Sequence, residues 1–359
     1  MRILAIGDQH FKLDNISQVE VFISKLKDHL EQEHYDLIVS GGDLLDTHER
    51  LHTQCLNKAI EYLKLLSTHS KTYVLVGNHD MINPSQFLTT NHWLNVIKEW
   101  DKTKYNIEIV DTPMIYNGDY KLVFCPFVPD GMFTKALDTL ESDWKDASMI
   151  FGHQTMDGVK MGSIEADGVE KWQEEYPNLV CFHVHDMQKV QDNLFYTGAC
   201  MQHSFSENIK KSLMQITITE RTDELDEVEN NLVFFNKNVY IRRLNVGVPI
   251  RKIIHCSVKD LEKMTCLDDV IPRVYRSSMF ILKVVVSGNY NEFKLIKKTE
   301  HIKKLMSKYK LIFKQDVTSV IEKDEIKLNY NREYAFKNMF EDILKKEIGD
   351  DLYALYEKL

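Results

Sequence analysis

Short apolar runs that stop abruptly at polar residues recur through the first half of the chain. Arg2 to Ile6 stops at Gly7-Asp8-Gln9-His10, and Asp36 to Ser40 at Gly41-Gly42-Asp43-Leu44-Leu45-Asp46. Thr72 to Val76 stops at Gly77-Asn78-His79-Asp80. Apolar runs this short, closed by glycine, predict buried strands. Between them, Val19, Phe22, Ile23, Leu26 and Leu30 recur at three- and four-residue spacing, as do Leu56, Ile60, Leu63 and Leu66, and these predict two helices. Strand, helix, strand, helix, strand is the βαβ arrangement of a mainly parallel sheet, which collects ligands at the carboxyl ends of its strands. All three polar clusters fall there.

Beyond Asp80 the pattern loosens. Phe87, Trp93, Leu94, Ile97 and Trp100 predict a helix, followed by strands at Ile107 to Val110 and Lys121 to Val128. Ser148 to Phe151 leads into Gly152-His153, and Asn178 to Phe182 leads into His183-Val184-His185. Leu194 to Tyr196 and Leu213 to Ile218 predict a second sheet returning over the first, and the acidic stretch Glu220 to Glu229 a solvated loop or hairpin. From about Asn236 the character changes. Strands at Ile250 to Cys256 and Phe280 to Val286, with helices near Val258 to Met264 and Phe293 to Met306, predict a small α/β domain. The end repeats Phe336, Met339, Phe340, Ile343, Leu344, Ile348, Leu352 and Leu355, the stripe of one or two amphipathic helices. Three regions are therefore expected: 1–235, 236–328 and 329–359.

Composition narrows the class. With 359 residues and 43% hydrophobic content, disorder and fibrous structure are excluded. No apolar run approaches the ~20 residues of a membrane span, and a carboxylate at position 8 argues against a signal peptide, so a soluble intracellular protein without membrane contact is expected. Six cysteines without a Cys-x-x-Cys pair predict reduced thiols and no zinc finger. A net charge of −9 argues against nucleic acid, but the average hides a division. Residues 1–235 carry 20 Lys and Arg against 37 Asp and Glu, and residues 236–359 carry 25 against 17. Surplus carboxylate in the first region suits bound cations. The basic region suits a polyanion or an acidic protein surface.

The strand-end groups are Asp8, His10, Asp43, Asn78, His79, His153, His183 and His185. Oxygen and imidazole ligands without thiolates suit Mn, Fe or Zn more than Ca, and a carboxylate is able to bridge two ions. The order Asp-x-His, Gly-Asp-x-x-Asp, Gly-Asn-His-Asp, Gly-His and His-x-His, over residues 8–185, resembles the calcineurin-like metallophosphoesterases. The resemblance implies an α/β fold: a two-sheet sandwich flanked by helices, with a smaller α/β capping domain and C-terminal helices. It implies two divalent ions, Mn first among them, one held by Asp8, His10 and His185, the other by Asn78, His153 and His183, with Asp43 bridging. His79 would then act near the leaving oxygen and Asp80 would orient His79, with Asp46 in support. One departure is Phe182, where the family usually has glycine, and a side chain there is expected to crowd the ligand loop or the entrance.

Two further stretches, Gly152 to Gly158 and Phe195 to Glu207, look like the SbcD-type DNA nucleases, with Ala199 in place of the usual serine. That resemblance implies a nuclease subunit processing double-strand DNA ends beside an SMC-like ATPase of the SbcC type. The C-terminal stripe, at Phe336, Phe340 and Leu344, would dock the ATPase, against a helix packed on its own domain. Lys294, Lys297 and Lys298, in the densest basic run, are candidate DNA contacts, against a plain solvated helix face. His48 and His52 are candidate substrate contacts, against an ordinary surface position, and a homodimer through the 18–30 and 53–68 helices is expected. The cytoplasm, the nucleoid or a virus-infected cell fits such a protein. The rival readings are another phosphoesterase, acting on phosphoproteins or nucleotides, and a non-catalytic DNA-tethering subunit.

Overall fold

The computed structural model describes residues 1–48, 50–219, 232–236, 238–263, 272–275 and 277–315. Strands β1 (Arg2–Ile6), β2 (Leu37–Ser40), β3 (Lys71–Leu75) and β4 (Ile107–Val110) lie side by side and parallel. Helices α1 (Ile16–Leu30) and α2 (Thr53–His69) make the first two crossovers, and the short α3 (Asn95–Lys98) precedes β4. Side-chain alternation along β1 feeds two cores at once. Leu4 and Ile6 pack with Phe22, Leu26, Tyr62 and Leu66 beneath the helices, while Ile3 and Ala5 face the second sheet. Each fully buried Leu, Ile or Phe contributes about 1.5–3 kcal/mol relative to exposure, so register is strongly specified in a strand buried on both faces.

The second sheet holds β5 (Met114–Asn117), β6 (Lys121–Cys125) and β7 (Met149–His153), with α4 (Phe133–Leu137) between the last two. A short hairpin, β8 (Lys160–Met161) and β9 (Ile164–Glu165), stands apart, and β10 (Leu179–Phe182), β11 (Gln188–Gln191) and β12 (Leu194–Tyr196) complete the six-stranded order β11-β12-β10-β7-β6-β5. Its inner face stacks Phe124, Phe151 and Phe182 on Val39, Tyr73 and Leu75 of the first sheet. Its outer face buries Trp144 and Trp172.

The chain then returns to the first sheet. β13 (Leu213–Ile218) pairs antiparallel with β1, and β14 (Leu232–Asn236) and β15 (Val239–Leu244) extend that sheet to seven strands, ordered β14-β15-β13-β1-β2-β3-β4. Leu213 to Ile218 therefore belongs to the first sheet, not to the returning one. The boundary expected at 235/236 falls inside the β14–β15 pair, and the change of sheet comes between Leu244 and Ile250. The helix expected over Phe87 to Trp100 shrinks to α3, because Asn83 and Thr89 side chains accept from Ser85 and Asn91 N–H and hold turns.

The small sheet is parallel: β16 (Ile250–Ser257), β17 (Phe280–Gly288) and β18 (Lys310–Gln315). Helices α5 (Val258–Lys263), α6 (Tyr290–Ile296) and α7 (Glu300–Lys308) cover one face through Val258, Leu261, Phe293, Ile296 and Ile302. Among the described residues no helix is long and apolar enough to cross a membrane. The acidic stretch 220–229 and the C-terminal stripe with Phe336, Phe340 and Leu344 lie outside the described residues.

Candidate metal centre

The carboxyl ends of β1, β2, β3, β7 and β10 meet at one edge of the sandwich, each delivering its polar residues to the same place. Three overlapping sets of side chains converge there, each with its ligand atoms within 4.8 Å of one another: Asp8, His10 and His185; His10, Asp43 and His79; Asp43, His153 and His183. Asp43 joins the last two. Its Oδ2 lies 3.5 Å from His10 Nε2 and 3.4 Å from His153 Nε2. Imidazole nitrogens face one another in pairs, His10 Nε2 to His185 Nε2 at 3.2 Å and His153 Nε2 to His183 Nδ1 at 3.1 Å. Asn78 Oδ1 sits 3.1 Å from His153 Nε2.

The outward nitrogens show what this arrangement fits. His153 Nδ1 donates to the Gly41 carbonyl oxygen at 2.7 Å, and His185 Nδ1 faces Glu207 Oε1 at 3.3 Å. Oxygen partners on the outer nitrogens select the tautomers whose inner nitrogens carry bare lone pairs. Several lone pairs and two carboxylates aimed at one space form a donor set for divalent cations, and its nitrogen and oxygen mixture suits transition metals. The residues present fit two such ions.

The backbone is bent to bring these groups together. Asp8, His10, Asp43 and His183 all have positive φ, at 40°, 41°, 52° and 81°. A side chain costs about 1–2 kcal/mol in the left-handed region, and such strain clusters where function demands it. Gly77 has a different reason to be glycine, since a Cβ there would overlap Asp43 Oδ1 and the Asp43 main chain. The bends are tied by hydrogen bonds between motifs. His183 N–H donates to Asp8 Oδ1 at 3.0 Å, and His79 N–H to Asp43 Oδ1 at 2.8 Å.

Asp80 does not orient the His79 ring as expected. Its buried carboxylate accepts from the N–H groups of Gly77 (3.1 Å), Asp43 (2.9 Å) and Leu44 (3.2 Å) and from Trp93 Nε1 (2.9 Å), locking one ligand loop to the next. Asp80 thus ties the Gly77 turn to the Asp43 turn. His79 is held instead through Nδ1 to the Asp46 carbonyl oxygen at 2.8 Å. The Asp46 carboxylate lies 3.5 Å from His10 Nδ1 and 3.2 Å from Lys12 Nζ.

Electrostatics follow from burial and crowding. Burial opposes charge on Asp43, yet His153, His10 and His79 hold its carboxyl well below the usual carboxylate range. Burial also works against a charged His153, but Asp43 and Asp8 raise it to about 9. Burial, then the neighbouring His153, brings His183 down to about 3, and burial lowers His79. Burial, then the Asp43 charge, raises Asp80 to about 6.

The structure brings His48 to this edge and leaves His52 outside the cluster. His48 stacks on His79 with ring centroids 4.4 Å apart, whereas His52 caps α2 by accepting from Gln54 N–H. Lys294, Lys297 and Lys298 are exposed on and just after α6, with Phe293 and Ile296 turned to the small sheet, and are not among the groups around Asp43. Phe182 does not narrow the entrance. Its ring is buried between the two sheets, under Gly41 and Gly7, and a Cβ on Gly41 would overlap it. Three side chains beside the centre were not singled out by their sequence surroundings: Trp93, His203, whose Nε2 lies 2.8 Å from the Asp8 carbonyl oxygen, and Lys211. His203 and Lys211 sit in an irregular segment where no periodicity marks them, and Trp93 reads as part of a helical stripe.

Residues 1–189 match the calcineurin-like phosphoesterase family. The 078R protein of Invertebrate iridescent virus 3, named as a phosphoesterase, is 34% identical over 307 residues, covering 85% of this chain and 81% of that protein. The DNA double-strand break repair protein Mre11 of Saccharolobus solfataricus is 26% identical over 348 residues, covering 90% of this chain and 84% of that one. The SbcD component of the SbcCD nuclease of Staphylococcus epidermidis is 23% identical over 262 residues, or 63% of this chain and 68% of that component. Fold, ligand order and sequence agree, and the chain belongs to the calcineurin-like phosphoesterase family.

Proposed function

We propose that this phosphoesterase is a Mn-dependent DNA phosphodiesterase that processes double-strand ends. The observation that carries the hydrolytic part is Asp43, a carboxylate shared between ligand sets on either side of it. Two divalent ions bound there supply Lewis acidity to the attacking and leaving oxygens of an in-line displacement. Asp8, His10 and His185 would hold one ion, Asn78, His153 and His183 the other, and Asp43 both. His79, fixed through Nδ1, presents Nε2 toward the leaving oxygen, and His48 stiffens its ring by stacking. Asp80 keeps the Asp43 and Gly77 turns in register.

DNA as substrate is supported by the likeness to two proteins whose names state DNA break repair and nuclease activity. An SMC-like ATPase partner, a homodimer, lysine contacts from α6 and an ATPase-docking role for 329–359 extend the same proposal. Phe182, packed in the core, leaves the centre uncrowded, which favours a catalytic reading over a tethering one.

The test is degradation of end-labelled linear duplex DNA with Mn2+, run beside Asp43→Asn. Cleavage by the wild type and not by the variant is expected. Turnover of phosphopeptides or small nucleotides with intact DNA would move the substrate elsewhere in the family, and equal cleavage by both proteins would remove Asp43 from the chemistry.

A further inference from the structure

The loop between β12 and β13 touches a ligand imidazole at one end and the small sheet at the other. Glu207 Oε1 lies 3.3 Å from His185 Nδ1, and Oε2 accepts from His203 N–H at 3.2 Å. Lys211 Nζ sits 3.1 Å from Glu207 Oε2 and donates to the His185 carbonyl oxygen at 2.6 Å. The Glu207 and Lys211 side chains are only 18% and 6% exposed, so these contacts are made largely out of water and hold firmly.

From the other direction, Gln202 Nε2 donates to the Glu207 carbonyl oxygen at 3.0 Å, and Gln202 Oε1 accepts from Arg251 N–H, on β16, at 2.7 Å. The Phe205 ring lies under two cations of the small sheet, Arg251 on β16 and Lys283 on β17, each 5.5 Å from its centroid. Arg251 is itself buried and its Nε donates to Gln18 of α1 at 3.1 Å. A chain of contacts thus runs from the small sheet through Phe205 and Gln202 to Glu207 and His185.

We propose that Glu207 is a positioning residue for His185, and that the small sheet, gripping Phe205 and Gln202, holds Glu207 in place. The inference rests on the two-ion reading of the centre and adds a dependence to it. His185 is 33% exposed on its side chain, and its outer nitrogen has a carboxylate where His153 has a main-chain carbonyl. Without that acceptor the ring is free to turn and to change tautomer, which withdraws the lone pair aimed at the ion shared with Asp8 and His10. Among the described residues, Asn78, His153 and His183 have no such link to the small sheet.

Calorimetric titration of the metal-stripped full-length protein with Mn2+ tests this. The wild type is expected to bind two ions, and Glu207→Gln, nearly isosteric, to weaken one by about tenfold or more while sparing the other. His185→Ala identifies the step, because it should lose the same one. Phe205→Ala should weaken that step too and Phe205→Tyr restore it, with Glu207→Gln/Phe205→Ala no weaker than the worse single variant. Wild-type binding in Glu207→Gln, or equal weakening of both ions, overturns the role of Glu207. Wild-type binding in Phe205→Ala overturns that of the small sheet. A wild type that binds no Mn2+ overturns the two-ion reading itself.

Discussion

His153 and His185 reach the same centre and are held by different kinds of support. His153 is fully buried, and its outer nitrogen rests on the Gly41 carbonyl, part of the sheet framework. His185 is a third exposed and rests on a side chain from a loop. A ligand fixed by main chain inherits the rigidity of the strands. One fixed by a loop side chain inherits whatever moves the loop, so the two sides of the centre should respond unequally to change.

The comparison breaks most completely at Asp43, the group both sides share: Asp43→Asn should weaken both ions and take activity to background. His79→Ala should do the reverse, leaving both Mn2+ affinities intact while lowering turnover by about 100-fold, the lower range for one acid–base group. Loss of an ion in that variant would make His79 a ligand. Phe182→Ala probes the framework side, since the ring supports Gly41 from beneath. It should cost about 3–5 kcal/mol of stability in denaturant titration, with KM unchanged because the ring does not line the entrance. A lowered KM would put the ring back at the opening.

The smallest effect is expected at Asp111, just past β4, which pairs with buried His92 at 3.1 Å and with Lys98. His92 precedes Trp93, the partner of Asp80, so this pair lies beside the framework without touching a ligand. Burial works against the Asp111 charge, but His92 and Lys98 hold its carboxyl below the usual range. Its charged form therefore adds stability above the ordinary carboxylate pKa of about 4, and the contribution is lost as pH falls through the depressed folded value. Asp111→Asn should be less stable by about 1 kcal/mol at pH 7, with the gap closing below about pH 4 and both Mn2+ affinities unchanged.

The ligands of both sides were legible. They follow apolar runs directly, so Gly7-Asp8-Gln9-His10, Gly41-Gly42-Asp43 and Gly77-Asn78-His79 announced themselves as strand ends. The partner of His79 was not legible, because a backbone carbonyl carries no residue signature and Asp80 stood nearer in sequence. Alternation showed that Leu213 to Ile218 was a strand but not which sheet it would join, and pairing with β1 is a contact between residues more than 200 apart. The direction of Phe182 was similarly hidden, since β10 is buried on both faces and its pattern marks neither as the inner one. Glu207 was legible only as the end of the SbcD-like stretch from Phe195, and its contact with His185 needed the fold.

The left-handed turns at Asp8, His10, Asp43 and His183 make this edge of the protein vulnerable to improvement. Glycine would suit those four conformations better than the residues present, by roughly 1 kcal/mol at each position. A library of variants ranked by melting temperature without metal would therefore enrich such replacements, discarding the catalyst as the scaffold grows more stable. Selection for stability in this chain has to be run with Mn2+ present, so that occupancy of the centre counts toward survival.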